Sequence, residues 1–335
     1  MNLQQAIARV IEKQDLSQAE MASVMNLIMK GEASHAQISA FLVALRMKGE
    51  TVDEITGAAS VMRSLASGVD ISGLTHTLDI VGTGGDCSGT FNISTASMFV
   101  AAAAGCHVAK HGNRSVSSQS GSADLLEAAG VNLNITSDQV AQAVREIGLG
   151  FMFAPAHHQA MKHAIGVRKE IAIRTIFNIL GPLTNPAGVK NQLLGVFDQK
   201  LCYPLAQVLQ KLGSEHVMVV HSNDGMDEIS IAAPTFVCEL VNGELKEYMI
   251  NPANFNLAHG SLAKIQVKNP IESLEMVQSV LNNQAGAAKD IVVLNAGAAI
   301  YCADLADSLE TGIELAKSAI ETGQAKQKMQ QLIDF

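Results

Sequence analysis

Side chains and backbone able to do chemistry gather in four short stretches. The first, "DIVGTGGDCSGTFNIST" over residues 79–95, places Gly82, Gly84, Gly85 and Gly89 between an apolar strand and a helix. Glycine permits positive φ and close approach, so successive N–H groups can face one concavity and meet the N-terminus of the next helix, a geometry that binds phosphate or diphosphate. It is not a Walker loop, because no Gly-Lys-Ser/Thr follows, and Cys87 occupies the last position of a would-be GxGxxG. The plain alternative is a tight turn. The second stretch, "KHGNRSVSSQSGSAD", gathers Lys110, His111, Asn113, Arg114 and a serine-rich approach to a helix beginning near Ser122. Such a density of donors suits phosphate oxygens and ribose hydroxyls better than an ordinary charged turn.

The third stretch, "HSNDGMDEIS", supplies Asp224, Asp227 and Glu228. Paired carboxylates suit Mg²⁺, which takes one or two of them and draws its other oxygens from water and substrate phosphates. In a regular strand Asp227 and Glu228 would face opposite ways, so co-ligation requires a turn or two separate ions. A solvated turn is the competing reading. The fourth stretch, "MKHAIGVRKEIAIRTIFNILGPLTNPAG", carries Arg168, Lys169 and Arg174 in an expected amphipathic helix stopping at "LGPLTNP". An arginine there can fork onto a carboxylate, beside a Gly181-Pro182 turn able to wall an aromatic ring; a basic surface face is the alternative. His157, His158 and His163 lack companion ligands at a zinc spacing, which leaves them helix-surface or pocket roles.

The elements that position these stretches follow from the apolar pattern. Ser17 with Glu20, Ser34 with Gln37 and Thr51 with Glu54 are reciprocal capping signatures, and the periodicity predicts helices over 3–12, 18–30, 35–48 and 52–66. Four short helices cannot bury all their apolar surface among themselves, so some should pack on another lobe or a second subunit. From residue 78, short apolar runs alternate with helices; "LDIV", "CHVAK", "HVMVVH" and "DIVVLN" read as strands. Alternation of this kind implies a mainly parallel sheet with helices on both faces. "TFVCELVNGELKEYMI" surrounds Asn242-Gly243 with alternating residues and predicts a late antiparallel hairpin. The fold class is therefore α/β: a small all-helical domain over 1–70, and a large domain over 71–335 whose mainly parallel central sheet is flanked by helices. Loops after neighbouring parallel strands share one crevice outside their carboxyl ends.

Composition narrows the function. A chain of 335 residues exceeds the roughly 250–300 at which one core stops growing, so two lobes are expected. The formal charge of −9 argues against nucleic-acid binding. Five widely spaced cysteines without a CxxC predict neither a disulfide framework nor a zinc ribbon and fit a reduced cytoplasm. The N-terminus is charged and amphipathic rather than a secretion signal, and no apolar run approaches the ~20 residues of a membrane span, so a soluble protein is expected.

"GTGGD", "TFNIST", "VAKHGNR", "GSADLLEAAG", "RTIFNILGPLTNPAG" and "GMDEIS", in this order from residue 79 to about 230, closely resemble the anthranilate phosphoribosyltransferase family of tryptophan biosynthesis. That family belongs to the nucleoside phosphorylase-like phosphoribosyltransferases. The resemblance implies a homodimer with its active site at the hinge between a helical and an α/β domain. It also implies that helices near 160–185, around Arg168, join the small domain. The implied reaction converts 5-phosphoribosyl 1-diphosphate and anthranilate into N-(5-phosphoribosyl)anthranilate and diphosphate with Mg²⁺, expected as two ions per subunit. Carried onto this chain, Gly82, Gly84, Gly85, Asp86, Thr90, Asn92, Ser94 and Thr95 resemble the diphosphate and ribose loop. Lys110 and the loop through Ser122 resemble the part holding the sugar's phosphates. Gly82, His111, Asn113, Arg168, Gly181 and Pro182 resemble the anthranilate site, and Ser94, Asp227 and Glu228 the metal ligands. Cys87 stands where glycine is common, Gly166 replaces a frequent proline, and "IAIRT" replaces "LGIRT"; these departures bear on loop stiffness rather than on the reaction.

Breaking the C1–O bond separates an electron-poor sugar from a highly charged diphosphate, so the task is electrostatic and no covalent protein nucleophile is expected. An aniline nitrogen is already neutral, so positioning matters more than a strong base; His111 is a candidate for positioning or for proton removal after attack. Closure of the helical lobe would exclude water. Two rivals remain: a pyrimidine-nucleoside phosphorylase-like enzyme, which would not need the paired carboxylates, and a non-catalytic nucleic-acid-binding relative, which should display an extended basic face.

Overall fold

A computed structural model describes residues 1–115 and 120–335, so part of the serine-rich stretch expected to bind phosphate, Val116, Ser117, Ser118 and Gln119, lies outside the described residues. All three expected capping boxes form, and a fourth pairs Asn2 with Gln5. They start helices α1 (Leu3–Ile11), α2 (Gln18–Met29), α3 (His35–Lys48) and α4 (Val52–Leu65). Glu54 does more than cap: its buried carboxylate accepts the Leu16 N–H at 3.0 Å and a bond from Lys48 Nζ at 2.9 Å, fastening α4 to the turn between α1 and α2.

The remaining chain runs β1 (Thr77–Gly82), α5 (Ile93–Ala104), β2 (His107–Gly112), α6 (Ser122–Ala128), α7 (Ser137–Ile147), β3 (Leu149–Phe153), α8 (Ala154–His157), α9 (Lys162–Ile171) and α10 (Phe177–Leu180). Next come β4 (Asn191–Gly195), α11 (Cys202–Lys211), β5 (His216–Ser222), β6 (Thr235–Val241), β7 (Glu244–Ile250), α12 (Pro270–Leu281), α13 (Ala287–Cys302), α14 (Leu309–Glu321) and α15 (Gln324–Asp334). One sheet forms in the order β3-β2-β1-β4-β5-β6-β7; its first five strands are parallel, and β6 and β7 close it as the expected hairpin. Asn242 and Gly243 both take positive φ, as a two-residue hairpin turn demands.

Strand order reverses between β1 and β4, which opens a crevice at their carboxyl ends. Both faces of the parallel strands are buried, as a parallel sheet requires, whereas the edge strand β7 is largely exposed. Leu193, Met218 and Val220 face a core completed by α5 and α13. Leu194, Val217 and Val219 face the opposite way, into a core shared with Met21, Leu42 and Ile55 of the first four helices and with Ala164 and Val167 of α9. Part of the helices' apolar surface is thus covered by the sheet's own layer.

Two expectations are corrected. "DIVVLN" is not a strand but the middle of α13, where Ile291, Val292, Val293 and Leu294 are all buried. A helix buried all round shows no 3.6-residue alternation, so a short window of it mimics a buried strand; the 16-residue length decides. Nor does Arg174 lie in a helix. The helix carrying Arg168 ends at Ile171, Ala172 turns left-handed at φ 47°, and the Asn178 side chain accepts the Thr175 N–H at 2.9 Å before a new short helix begins. That local bond competes with helix continuation.

His216 pins the antiparallel side of the sheet. Its Nδ1 lies 2.6 Å from Asp304 and its Nε2 3.0 Å from the buried Glu239. Burial alone pushes the imidazole down, but bonds to Glu239 and Asp304 outweigh it and hold its pKa above the usual value of 6.5. A raised folded-state pKa stabilises fully below the unfolded value, and that contribution is lost as pH rises through the folded one. The unfolding midpoint of the protein should therefore fall as pH rises above about 6.5, and His216→Asn should flatten that fall in denaturant titrations at several pH values. Equal slopes in the two proteins would assign the pH dependence elsewhere.

Candidate functional site

Gly82 and Gly195, the last residues of β1 and β4, sit side by side in register. Neither has a side chain, and Asp227 fills the space: a Cβ on Gly82 would lie 2.5 Å from Asp227 Oδ2, and one on Gly195 1.5 Å from the Asp227 carbonyl oxygen. The segment after β5 bends at Asp227 and Glu228 instead of continuing as strand, which resolves the alternation that would have set the two carboxylates on opposite faces.

The glycine loop folds over this bend. Asp227 Oδ2 accepts the Gly84 N–H at 2.7 Å, and Asp86 hydrogen-bonds the same carboxyl group. Burial, together with the charge of Asp86, pushes Asp227 above the usual carboxylate range. Burial and the charge of Asp227 push Glu228 upward likewise, against the opposing pull of Lys110. Cys87 adopts φ 59°, so the position where glycine is common in the resembling family is indeed left-handed.

Farther along the loop, Thr90 Oγ1 meets Ser88 Oγ at 3.2 Å. The Asn92 side chain is locked by Ser120 and Ser273, with Oδ1 accepting both hydroxyls at 2.8 and 2.7 Å. Ser94 and Thr95 open α5, and the buried Thr95 Oγ1 has no hydrogen-bond partner among the described residues.

Lys110 takes a different direction from the one expected of a loop cation. It is 2% exposed and turns beneath the crevice, donating to the Ile80 carbonyl and to Ser94 Oγ. Burial lowers its pKa, against the charges of Asp79, Glu228 and Asp227. Asp79, fully buried below, is raised to about 6 by burial despite Lys110. Arg114 is also committed elsewhere, forking onto Glu127 at 2.7 and 3.0 Å.

A second cluster flanks the first. The His111 N–H donates to Asp79 at 3.1 Å, its ring centroid lies 5.1 Å from that of His158, and the backbone of Gly181 bonds it. Burial, then the neighbouring histidines, push His111 down to about 3, so its ring is neutral at ordinary pH; its buried Nε2 has no hydrogen-bond partner among the described residues. Pro182 follows Gly181, its carbonyl accepting Gln192 Nε2 at 2.8 Å. Asn113 is exposed at the end of β2, and its carbonyl receives the Ser122 hydroxyl at 3.4 Å. Arg168 lies on α9, its guanidinium 5.5 Å above the Phe177 ring, half-buried and lowered in pKa by burial.

Sequence reasoning passed over Asp79, Asn185 and Phe197. Asp79 did leave a signal, a carboxylate inside the apolar run "LDIV". Asn185, which bonds the Ala109 carbonyl at 2.9 Å, left only its place in a turn. Among the described residues no three His, Cys, Asp or Glu side chains are close enough to hold a metal unaided. Crowded carboxylates with raised pKa values nonetheless fit a divalent cation that brings further oxygens from its ligand.

Comparison with known proteins gives a consistent result. Residues 4–66 match the glycosyl transferase family, helical bundle domain, and residues 74–326 the glycosyl transferase family, a/b domain. Anthranilate phosphoribosyltransferase of Thioalkalivibrio sulfidiphilus is 58% identical over 100% of this chain and 99% of its own length. Its counterpart in Pseudomonas putida is 56% identical, with 100% and 97% covered. Among solved structures, the anthranilate phosphoribosyltransferase of Thermus thermophilus superposes with a TM-score of 0.93 at 39% identity, covering 98% of each chain. The Saccharomyces cerevisiae enzyme in complex with PRPP and Mg does so at 0.91 and 27%, covering 99% and 97%.

Gly195→Ala should push the Asp227 backbone out of its place, costing about 1–3 kcal/mol by overpacking and lowering turnover sharply. Gly260→Ala, whose new methyl would meet nothing within 4 Å, is the control. Equal turnover in the two variants would show that close approach at Gly195 does not set the site.

Proposed function

Because the chain belongs to the anthranilate phosphoribosyltransferase family and transfers the 5-phosphoribosyl group of 5-phosphoribosyl 1-diphosphate to the amino group of anthranilate, we propose a residue-level account of how this site does so. The diphosphate and ribose lie on the loop of Gly82, Gly84, Gly85, Asp86, Thr90, Asn92, Ser94 and Thr95, with Ser122 and the following helix start on the far side. Magnesium is held by Asp227, Glu228 and Ser94. Anthranilate lies against Gly82, His111, Asn113 and the Gly181-Pro182 turn, its carboxylate forked by Arg168. The observation that carries this reading is the crowding of Asp227 and Glu228 beneath a glycine loop that contributes Asp86 and whose Gly84 N–H donates to Asp227.

Magnesium, when bound, neutralises diphosphate charge and so lowers the cost of C1–O cleavage. The protein does the rest. Loop N–H groups and the start of α5 face the departing anion. Lys110 serves from below, where its buried charge offsets Asp79 and the acidic pair and its bond orients Ser94. Neutral His111 is suited to accept a proton from the attacking nitrogen or to orient the ring. Side chains positioning two substrates supply much of the rate, since the amine needs no prior deprotonation.

We further infer a domain division near residue 70, with the segment near 160–185 joining the small lobe; the packing of α9 on α2 and α3 supports this. Two magnesium ions per subunit are favoured by a third carboxylate, Asp86, beside the pair. A homodimer is favoured by Ile11, Met47 and Ile165, which remain 62%, 81% and 42% exposed on α1, α3 and α9. Among the described residues no helix is long and apolar enough to cross a membrane. Five free cysteines accord with a reducing cytoplasm.

Loss of anthranilate fluorescence in the presence of phosphoribosyl diphosphate and Mg²⁺ measures turnover directly. Replacing Asp227 and Glu228 by Asn and Gln should lower it by at least about 100-fold with the fold intact, the loss of a metal's electrostatic contribution. Near-normal rates at saturating Mg²⁺ would remove both from metal binding. Arg168→Ala should raise KM for anthranilate about tenfold or more, the loss of a charge-assisted fork, and leave KM for the sugar donor nearly unchanged. An equal rise in both would mark a structural role.

A further inference from the structure

The acidic pair is not all that holds the first half of the glycine loop. Arg174 Nη2 donates to the Gly85 carbonyl. Arg174 comes from the segment between α9 and α10, far from the loop in sequence. Its guanidinium lies over the Phe197 ring, 4.2 Å from the centroid, close enough for a cation–π contact. Phe197 is itself bound to the same loop, because its N–H donates to Thr83 Oγ1 at 3.1 Å while the Thr83 N–H donates to the Gly195 carbonyl at 2.9 Å.

Thr83, Phe197, Arg174 and Gly85 therefore make a closed circuit around the first half of the loop. The fit is close. A Cβ on Gly85 would lie 3.0 Å from Arg174 Nη2 and would press on the guanidinium, and Gly85 holds φ 81°, a conformation that favours glycine. Fixing the Gly85 carbonyl fixes the peptide that leads into Asp86, whose carboxyl group bonds Asp227. Arg174 is mechanically continuous with α9, which packs on α2 and α3. The left-handed Ala172 lies between that helix and the arginine.

We propose that Arg174 is a positioning residue for the sugar donor's diphosphate: it clasps the glycine loop by the Gly85 carbonyl, is seated over the Phe197 ring, and transmits the placement of α9 to Asp86. It acts through the loop and not as a charge on the substrate. The inference rests on assignment of this loop to the donor, and the test separates the two.

In steady-state assays at saturating Mg²⁺, Arg174→Gln should raise KM for phosphoribosyl diphosphate about tenfold, the loss of one hydrogen bond and one cation–π contact. Its kcat, its KM for anthranilate and its unfolding midpoint should stay near those of the parent. Arg174→Lys keeps the charge but loses the planar guanidinium that reaches the Gly85 carbonyl from over the Phe197 ring, so it should not restore the donor KM. Phe197→Leu should raise that KM in the parent and add nothing in the Arg174→Gln background. Rescue by lysine, additive Phe197 and Arg174 effects, or equal rises in both KM values would overturn the clasp. Thr90→Ala serves as the loop control: if it raises donor KM while Arg174→Gln does not, the clasp alone fails. If neither changes it, the loop does not bind donor and the clasp fails with it.

Discussion

Asp227 occupies the gap left where two neighbouring strands end in glycine, and the rest of the site is built around that insertion. With the Asp227 carbonyl set against Gly195 and its carboxyl group against Gly82, the chain cannot continue as strand after β5. It bends, and the bend turns Glu228 toward the same crevice. The Gly84 N–H then caps the inserted carboxylate, which fixes the glycine loop's first turn. A parallel sheet would give such a crevice to any ligand at its switch point; the paired glycines reserve this one for carboxylates.

Burying several carboxylates together is costly unless charge of the other sign is near. Lys110 lies between Asp79 below and the Asp227-Glu228 pair above, so the site is layered in charge: acid, base, acid. One buried lysine offsets only part of this, and the raised pKa values of Asp227 and Glu228 register the remainder. A site that accumulates negative charge under a loop suited to diphosphate holds two anionic partners apart until cations arrive with the substrate.

How much of this was legible beforehand depended on whether the signal was local. Capping boxes at Ser17, Ser34 and Thr51 and the Asn242-Gly243 turn are local chemistry, and each formed where the residues indicated. The glycine loop and the acidic pair could be picked out by residue type, and their order along the chain carried the resemblance. The direction of Lys110 could not, since a lysine at a strand's carboxyl end can turn outward to a loop or inward to a carboxylate, and only the position of Asp79 on the neighbouring strand decides. "DIVVLN" misled because burial on every side erases periodicity. Arg174 was concealed by an apparent helix that Ala172 and Asn178 in fact interrupt.

The interruption matters for how the two lobes work as one. Had α9 continued through Arg174 to the Gly181-Pro182 turn, a single rigid rod would join the helical lobe to the wall beside His111, and any closure would move both together. Instead the chain leaves α9 through a left-handed residue, touches the glycine loop at Gly85, and only then forms the turn against His111. Left-handed alanine is strained by about 1–3 kcal/mol, a cost that persists only where surrounding contacts impose it. Here those contacts are α9 on its lobe and Arg174 on Phe197. Any movement of α9 would therefore act on Arg168 directly, and on the glycine loop only through the segment beyond Ala172. On the proposed assignment, such a division would leave the loop free to organise around the donor independently of the wall beside the acceptor, which suits a reaction whose activated sugar must meet an amine before it meets water.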